Sequence, residues 1–91
     1  MKIKEFLNKM EDAMTNLEKY NNVFMETFAI EQGQLAGLEY QSIANWDSVG
    51  HMELIAGLED AFDIMMETED IIEFSSYEKG KELLKKYNIE I

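Results

Sequence analysis

Cysteine is absent from the 91 residues, so no disulfide, thiolate metal site or cysteine nucleophile can form. Proline is absent too, and there are only five glycines. Nothing reads as a linker, a low-complexity tract or an internal repeat. Arginine is missing, since all eight bases are lysine; a bidentate arginine clamp on phosphate is therefore excluded. No run approaches 18 apolar residues, so no transmembrane span is expected. The charged start Met1-Lys2-Ile3-Lys4-Glu5-Phe6 is not followed by an uninterrupted apolar run, so no signal peptide is expected. A cytoplasmic location is the default expectation.

What is present is acid. Nineteen acids face eight bases, for a formal net charge of −11. Nucleic acid and anionic membrane would be repelled, and basic protein surfaces attracted. The charge is concentrated: Asn45 to Phe74 carries nine acids and no lysine, whereas Met1 to Phe28 carries five acids and four lysines. Such a stretch is either a solvated face or a docking field. A chain this short buries only about 60–65% of its unfolded surface. That implies one domain, residues 1–91, with little room for a deep enzyme pocket.

Alternation of the strand type is missing, so the chain reads as all-α. Ile3, Phe6, Leu7, Met10, Ala13, Met14, Leu17, Tyr20, Phe24 and Phe28 recur at three- and four-residue steps. They predict one long helix, or two pieces broken near Thr15-Asn16 or Asn21-Asn22. Thr15 with Glu18 has the form of a capping box. The pattern fades at Glu31-Gln32-Gly33. Residues 31–47 form a long loop pinned by Leu35, Leu38, Tyr40 and Ile43. Asp47 or Ser48 caps a second helix with Leu54, Ile55, Leu58 and Phe62 as core positions. Val49, Met52 and Ala56 flank that core face. A short helix over 69–73, capped by Thr68, packs Ile71, Ile72 and Phe74. Ser75 or Ser76 caps a last helix with Tyr77, Leu83, Leu84 and Tyr87 on its face. Met65-Met66 reads as gap-filling core.

Asn45-Trp46-Asp47-Ser48-Val49-Gly50-His51-Met52-Glu53-Leu54 concentrates the chemistry. Read structurally, Asp47 or Ser48 is a cap and Trp46 staples the start of the helix. Read as catalysis, Ser48 and His51 sit one turn apart with Asp47 adjacent, but no Gly-x-Ser-x-Gly elbow or oxyanion donors accompany them. Read as an attachment site, a phosphodiester on Ser48 would sit at the positive end of a helix. Neither an acidic metal loop nor a zinc set is present, so no metal site is expected.

Trp46-Asp47-Ser48-Val49-Gly50-His51-Met52-Glu53-Leu54-Ile55, followed by Leu58-Glu59-Asp60-Ala61-Phe62-Asp63-Ile64, resembles the acyl carrier protein family. That family's pattern is Asp-Ser-Leu, a few residues, Glu-Leu, then Leu-Glu-acid-x-Phe-x-Ile. Register holds without a gap from Trp46 to Ile64, and the wider likeness spans Leu17 to Tyr87. The resemblance implies a four-helix bundle with a long loop before helix 2 and a short helix 3. It implies a stand-alone carrier, not an enzyme, with phosphopantetheine from coenzyme A attached to Ser48 by a Mg²⁺-dependent phosphopantetheinyl transferase. The arm's thiol would hold acyl cargo as a thioester. Asp47 would orient the transferase metal. Val49, Met52, Glu53 and Ala56 would face partner enzymes, with Glu59, Asp60 and the acids of 67–73 as an electrostatic guide. The partners implied are the transferase, an acyl- or aminoacyl-loading enzyme and a downstream acyl transferase or synthase. Val49 stands where leucine is usual, and Gly50-His51 replaces a more polar pair. Tryptophan before Asp-Ser looks more like dedicated carriers of specialised or cell-surface pathways than the fatty-acid synthesis carrier. Residues 1–15 exceed the family's first helix, as an extension of it, an extra helix or a self-association element. Two alternatives stand beside this reading: an aminoacyl or peptidyl carrier, and an unmodified helical interaction module.

Overall fold

Thr15 caps the helix that opens the described residues. A computed structural model of the chain describes residues 14–91. In it the Thr15 hydroxyl accepts from the Glu18 N–H at 3.1 Å and donates to the Glu18 carboxylate at 3.3 Å. An N-cap needs non-helical backbone, so the long apolar stripe is interrupted there. Helix α1 runs Asn16–Phe28. Of the two predicted breaks, Thr15-Asn16 is the one adopted; Asn21-Asn22 lies inside α1. Ile3, Phe6, Leu7, Met10 and Ala13, with nearly all of the expected 1–15 extension, lie outside the described residues. The helix stops before the predicted fade: Ala29 takes the left-handed conformation, φ 54°, and its N–H bonds Met25 O.

The loop that follows is tied down. Gln32–Gln34 form a 3₁₀ turn, and Leu35 and Leu38 are buried, with Tyr40 and Ile43 half-buried. Tyr40 N–H donates to Ser75 O and Tyr77 N–H to Leu38 O, each at 2.9 Å. These bonds make an isolated antiparallel bridge between Glu39 and Ser76, which no periodicity announced.

Helix α2 (Ser48–Phe62) buries Leu54, Ile55 and Leu58 against α1, with Phe62 half-buried. Helix α3 (Thr68–Glu73) departs from expectation twice. Thr68 is its first residue and Glu67 its N-cap, without a side-chain bond. Ile72 is exposed instead of packed, while Phe74 is buried. A six-residue helix cannot hold itself, and side chains hold this one. Glu59 Oε2 accepts from Met66 N–H at 2.9 Å, and Tyr87 Oη accepts from Glu67 N–H at 2.8 Å. Asp70, buried, accepts from Tyr87 Oη at 2.6 Å and Lys86 Nζ at 3.0 Å. Ser76 caps α4 (Tyr77–Leu84) through Lys79 N–H, and a 3₁₀ turn, Lys85–Tyr87, follows. The Met65-Met66 pair splits: Met66 is buried and Met65 exposed.

The interior is aromatic. Tyr20, Phe24, Phe28, Trp46 and Phe74 are almost wholly buried, with Tyr77 beside them. Each large apolar side chain removed from water contributes about 1.5–3 kcal/mol. Their polar atoms are matched. Tyr20 Oη donates to Tyr77 O at 2.6 Å, and Tyr77 Oη donates to Asn21 Oδ1. Burial, then the Tyr77 and Glu78 charges, pushes the Tyr20 hydroxyl far above the phenol range. Among the described residues the architecture is all-α, with four α-helices.

Candidate functional site

The site is built where the long loop meets α2. Trp46 anchors it: its ring has no exposed surface, and its backbone carbonyl accepts from Gln41 N–H at 2.9 Å. Asn45 Nδ2 donates to Phe28 O at 2.9 Å, fastening the loop to the end of α1. The loop backbone lies directly on Gly50. A Cβ there would overlap the Asn45 carbonyl oxygen and press Phe28 at 3.3 Å. Only glycine lets the loop and α2 come this close.

Asp47 is the N-cap, as its residue type predicts, and its Oδ1 accepts from Gly50 N–H at 2.8 Å. Ser48 follows as the first helical residue and is exposed. One carboxylate oxygen of Asp47 is therefore spent on the helix, and Ser48 stands at the helix's positive end.

His51 is not available to Ser48. Its Nδ1 accepts from the Trp46 indole N–H at 2.9 Å, and its Nε2 lies 2.8 Å from Ile71 O. Indole only donates and a carbonyl only accepts, so the proton sits on Nε2 and both ring nitrogens are used. His51 thus packs and hydrogen-bonds between the start of α2 and α3, with both ring nitrogens committed away from Ser48. Breaking the pair would strand the buried Trp46 N–H at a cost of about 1–3 kcal/mol. The five-residue spacing of Trp46 and His51 matches no helical or strand period, so sequence reasoning missed the pair.

Beside Ser48 lies a groove of about 340 Å³ between α2 and α3. Ser48, His51, Met52, Ile71, Ile72 and Phe74 contribute to its walls. Ile71, Ile72 and Phe74, which helical period marks only as packing residues, reach it from α3 and its C-terminal end. The exposed Ile72 finds its place here.

The predicted partner residues separate into two groups. Val49, Met52, Glu53, Ala56 and Asp60 are exposed. Val49, Glu53, Ala56 and Asp60 share one stripe of α2 by three- and four-residue steps. Asp60 lies at the far end of it, roughly 18 Å from Ser48. Glu59 is half-buried and caps the segment before α3. Asp70 is likewise structural: the Tyr87 hydroxyl, then Lys86, holds its carboxyl below the usual range. Asp47, Glu53, Asp60, Asp63, Glu67, Glu69 and Glu73 remain exposed. Among the described residues, no helix is long and apolar enough to cross a membrane, and no acid–histidine group could hold a metal ion. No family model, curated protein or solved structure matches the chain.

Proposed function

We propose that this protein is a carrier that holds cargo covalently on Ser48 and presents it to partner enzymes. The observation that carries the reading is the setting of Ser48: exposed, first in α2 behind its Asp47 cap, and opening onto an apolar groove. A nucleophilic enzyme would need a base beside the serine, and His51 is committed elsewhere. A modified serine needs only access, and a helix N-terminus favours the anion that results. The resemblance from Trp46 to Ile64 names the group as phosphopantetheine and the architecture as an acyl-carrier-like bundle. The order of a long helix, a long loop, a second helix, a short third and a last one supports that reading.

In attachment, Ser48 Oγ attacks the pyrophosphate of coenzyme A. The new O–P bond forms as the P–O bond to adenosine 3′,5′-bisphosphate breaks, and the serine proton passes to a base on the transferase. No oxidant or reductant is needed. The arm supplies a thiol that this cysteine-free chain lacks, and with it a thioester. Asp47 holds the helix start in register, Met52 shares the groove with Ser48, and Val49, Glu53 and Ala56 continue along exposed α2 as the face offered to partners. Tethering raises the local concentration of cargo at each partner. Aminoacyl cargo would use the same serine and groove.

Exposed Val49, Met52, Met65 and Ile72 also suit an unmodified interaction module, since apolar residues in water mark contact surfaces. Intact mass separates the two. Incubation with coenzyme A, Mg²⁺ and a broad-specificity transferase should add one phosphopantetheine to the wild type and none to Ser48→Ala. No addition to the folded wild type, with a control carrier modified alongside, selects the interaction module.

A further inference from the structure

Three rings in contact run from the groove wall into the core. His51 is the outer ring. The Trp46 ring lies behind it in nearly the same plane, edge to edge across their hydrogen bond with centroids 6.2 Å apart and 14° between the planes, and Phe28 packs against Trp46 at 5.2 Å and 26°. Tyr40 and Phe74 flank the imidazole at 5.4 and 6.2 Å. Trp46 and Phe28 have no exposed surface. The two hydrogen bonds of His51 fix its orientation, one to Trp46 and one to the α3 carbonyl of Ile71. Turning the imidazole aside would break both and leave the indole N–H without an acceptor inside the core. The packing behind these rings is tight as well, because Gly50 leaves no space for even a Cβ between Asn45 and Phe28.

We infer that His51 is a length-limiting barrier, so that Ser48 carries short acyl or aminoacyl cargo along the surface groove and no long alkyl chain enters the bundle. The inference rests on the carrier reading of Ser48 and names the class of cargo for that site. The occupant of the groove is the group tethered at Ser48, because Ser48 itself forms part of the wall with Met52 and Ile71. Long apolar cargo would stay in water, without the stabilisation that burial of each added methylene brings.

The test charges the full chain with coenzyme A thioesters from acetyl to hexadecanoyl, using Mg²⁺ and the same broad-specificity transferase. Intact mass verifies each product, and Tm and the emission of Trp46, the single tryptophan, are then followed. The expected result is a Tm and an emission maximum that do not change with chain length. A Tm climbing by several degrees as methylenes are added, with a shift in Trp46 emission, overturns the inference. His51→Ala removes the outer ring, and its long-chain products should gain both the Tm rise and the emission shift. A flat response in that folded variant would show that His51 is not the barrier. Should the variant not fold, the wild-type series decides alone. Failure of the carrier reading has a different signature: no thioester changes the mass of the wild type while a control carrier is charged, and the inference falls with it.

Discussion

Gly50 shows how one residue sets the site. The Asn45 carbonyl rests where a side chain would begin, so the loop delivers Ser48 only if position 50 has none. Gly50→Ala should destabilise by about 1–3 kcal/mol, the range for overpacking a dense interior. A denaturant titration checks this, and a midpoint equal to wild type would mean the loop yields without cost. Glycine in a helix usually weakens it, and here that loss is accepted to seat the loop. His51 is the second such residue. Its type suggested a base, and its neighbours made it a brace.

At the scale of elements, α3 is held largely by residues of the 3₁₀ turn that follows α4. Asp70 links it to Tyr87 and Lys86, and Tyr87 also holds Glu67 N–H. The Asp70 carboxyl is depressed in the folded state, by the Tyr87 hydroxyl first and Lys86 second. A depressed carboxyl stabilises the fold above its unfolded value, near 3.8, and loses that contribution as pH falls through the lower folded value. Asp70→Asn should therefore be less stable than wild type at neutral pH, and the gap should close as pH drops below about 4. Tm against pH for the two proteins measures it. A gap that stays constant into acid would show that charge at Asp70 contributes nothing. Thr68 was read as the cap of α3 because threonine caps often. Ties to distant residues fixed the helix start instead, and Ile72 was left in the groove wall.

At the scale of the whole molecule, charge and encounter belong together. Seven of the nine central acids are exposed, while Asp70 is paired in the fold and Glu59 is a cap. On the proposed carrier reading, the exposed ones would steer brief contacts with basic partners. Glu53→Lys or Asp60→Lys should slow loading by a transferase several-fold at low salt, and the difference should shrink as salt screens it. Folding stability should stay within about 0.5 kcal/mol of wild type, as for most surface changes. Equal loading rates at low salt would remove the electrostatic role from that stripe of α2.

Much of this molecule could be read along the chain because the relevant physics is local. Thr15, Asp47 and Ser76 are caps by residue type, and the apolar steps of α1, α2 and α4 follow from helical period. The serine behind an aspartate was legible for the same reason, and so was the flanking face of Val49, Met52 and Ala56. Tertiary structure alone decided the rest. The Glu39–Ser76 bridge, the Trp46–His51–Ile71 chain of hydrogen bonds, and the burial of Asp70 beside Tyr87 join positions that no local period relates. They form only when packing brings separate segments within bonding distance, which is why the same sequence that announces Ser48 gives no sign of the groove beside it.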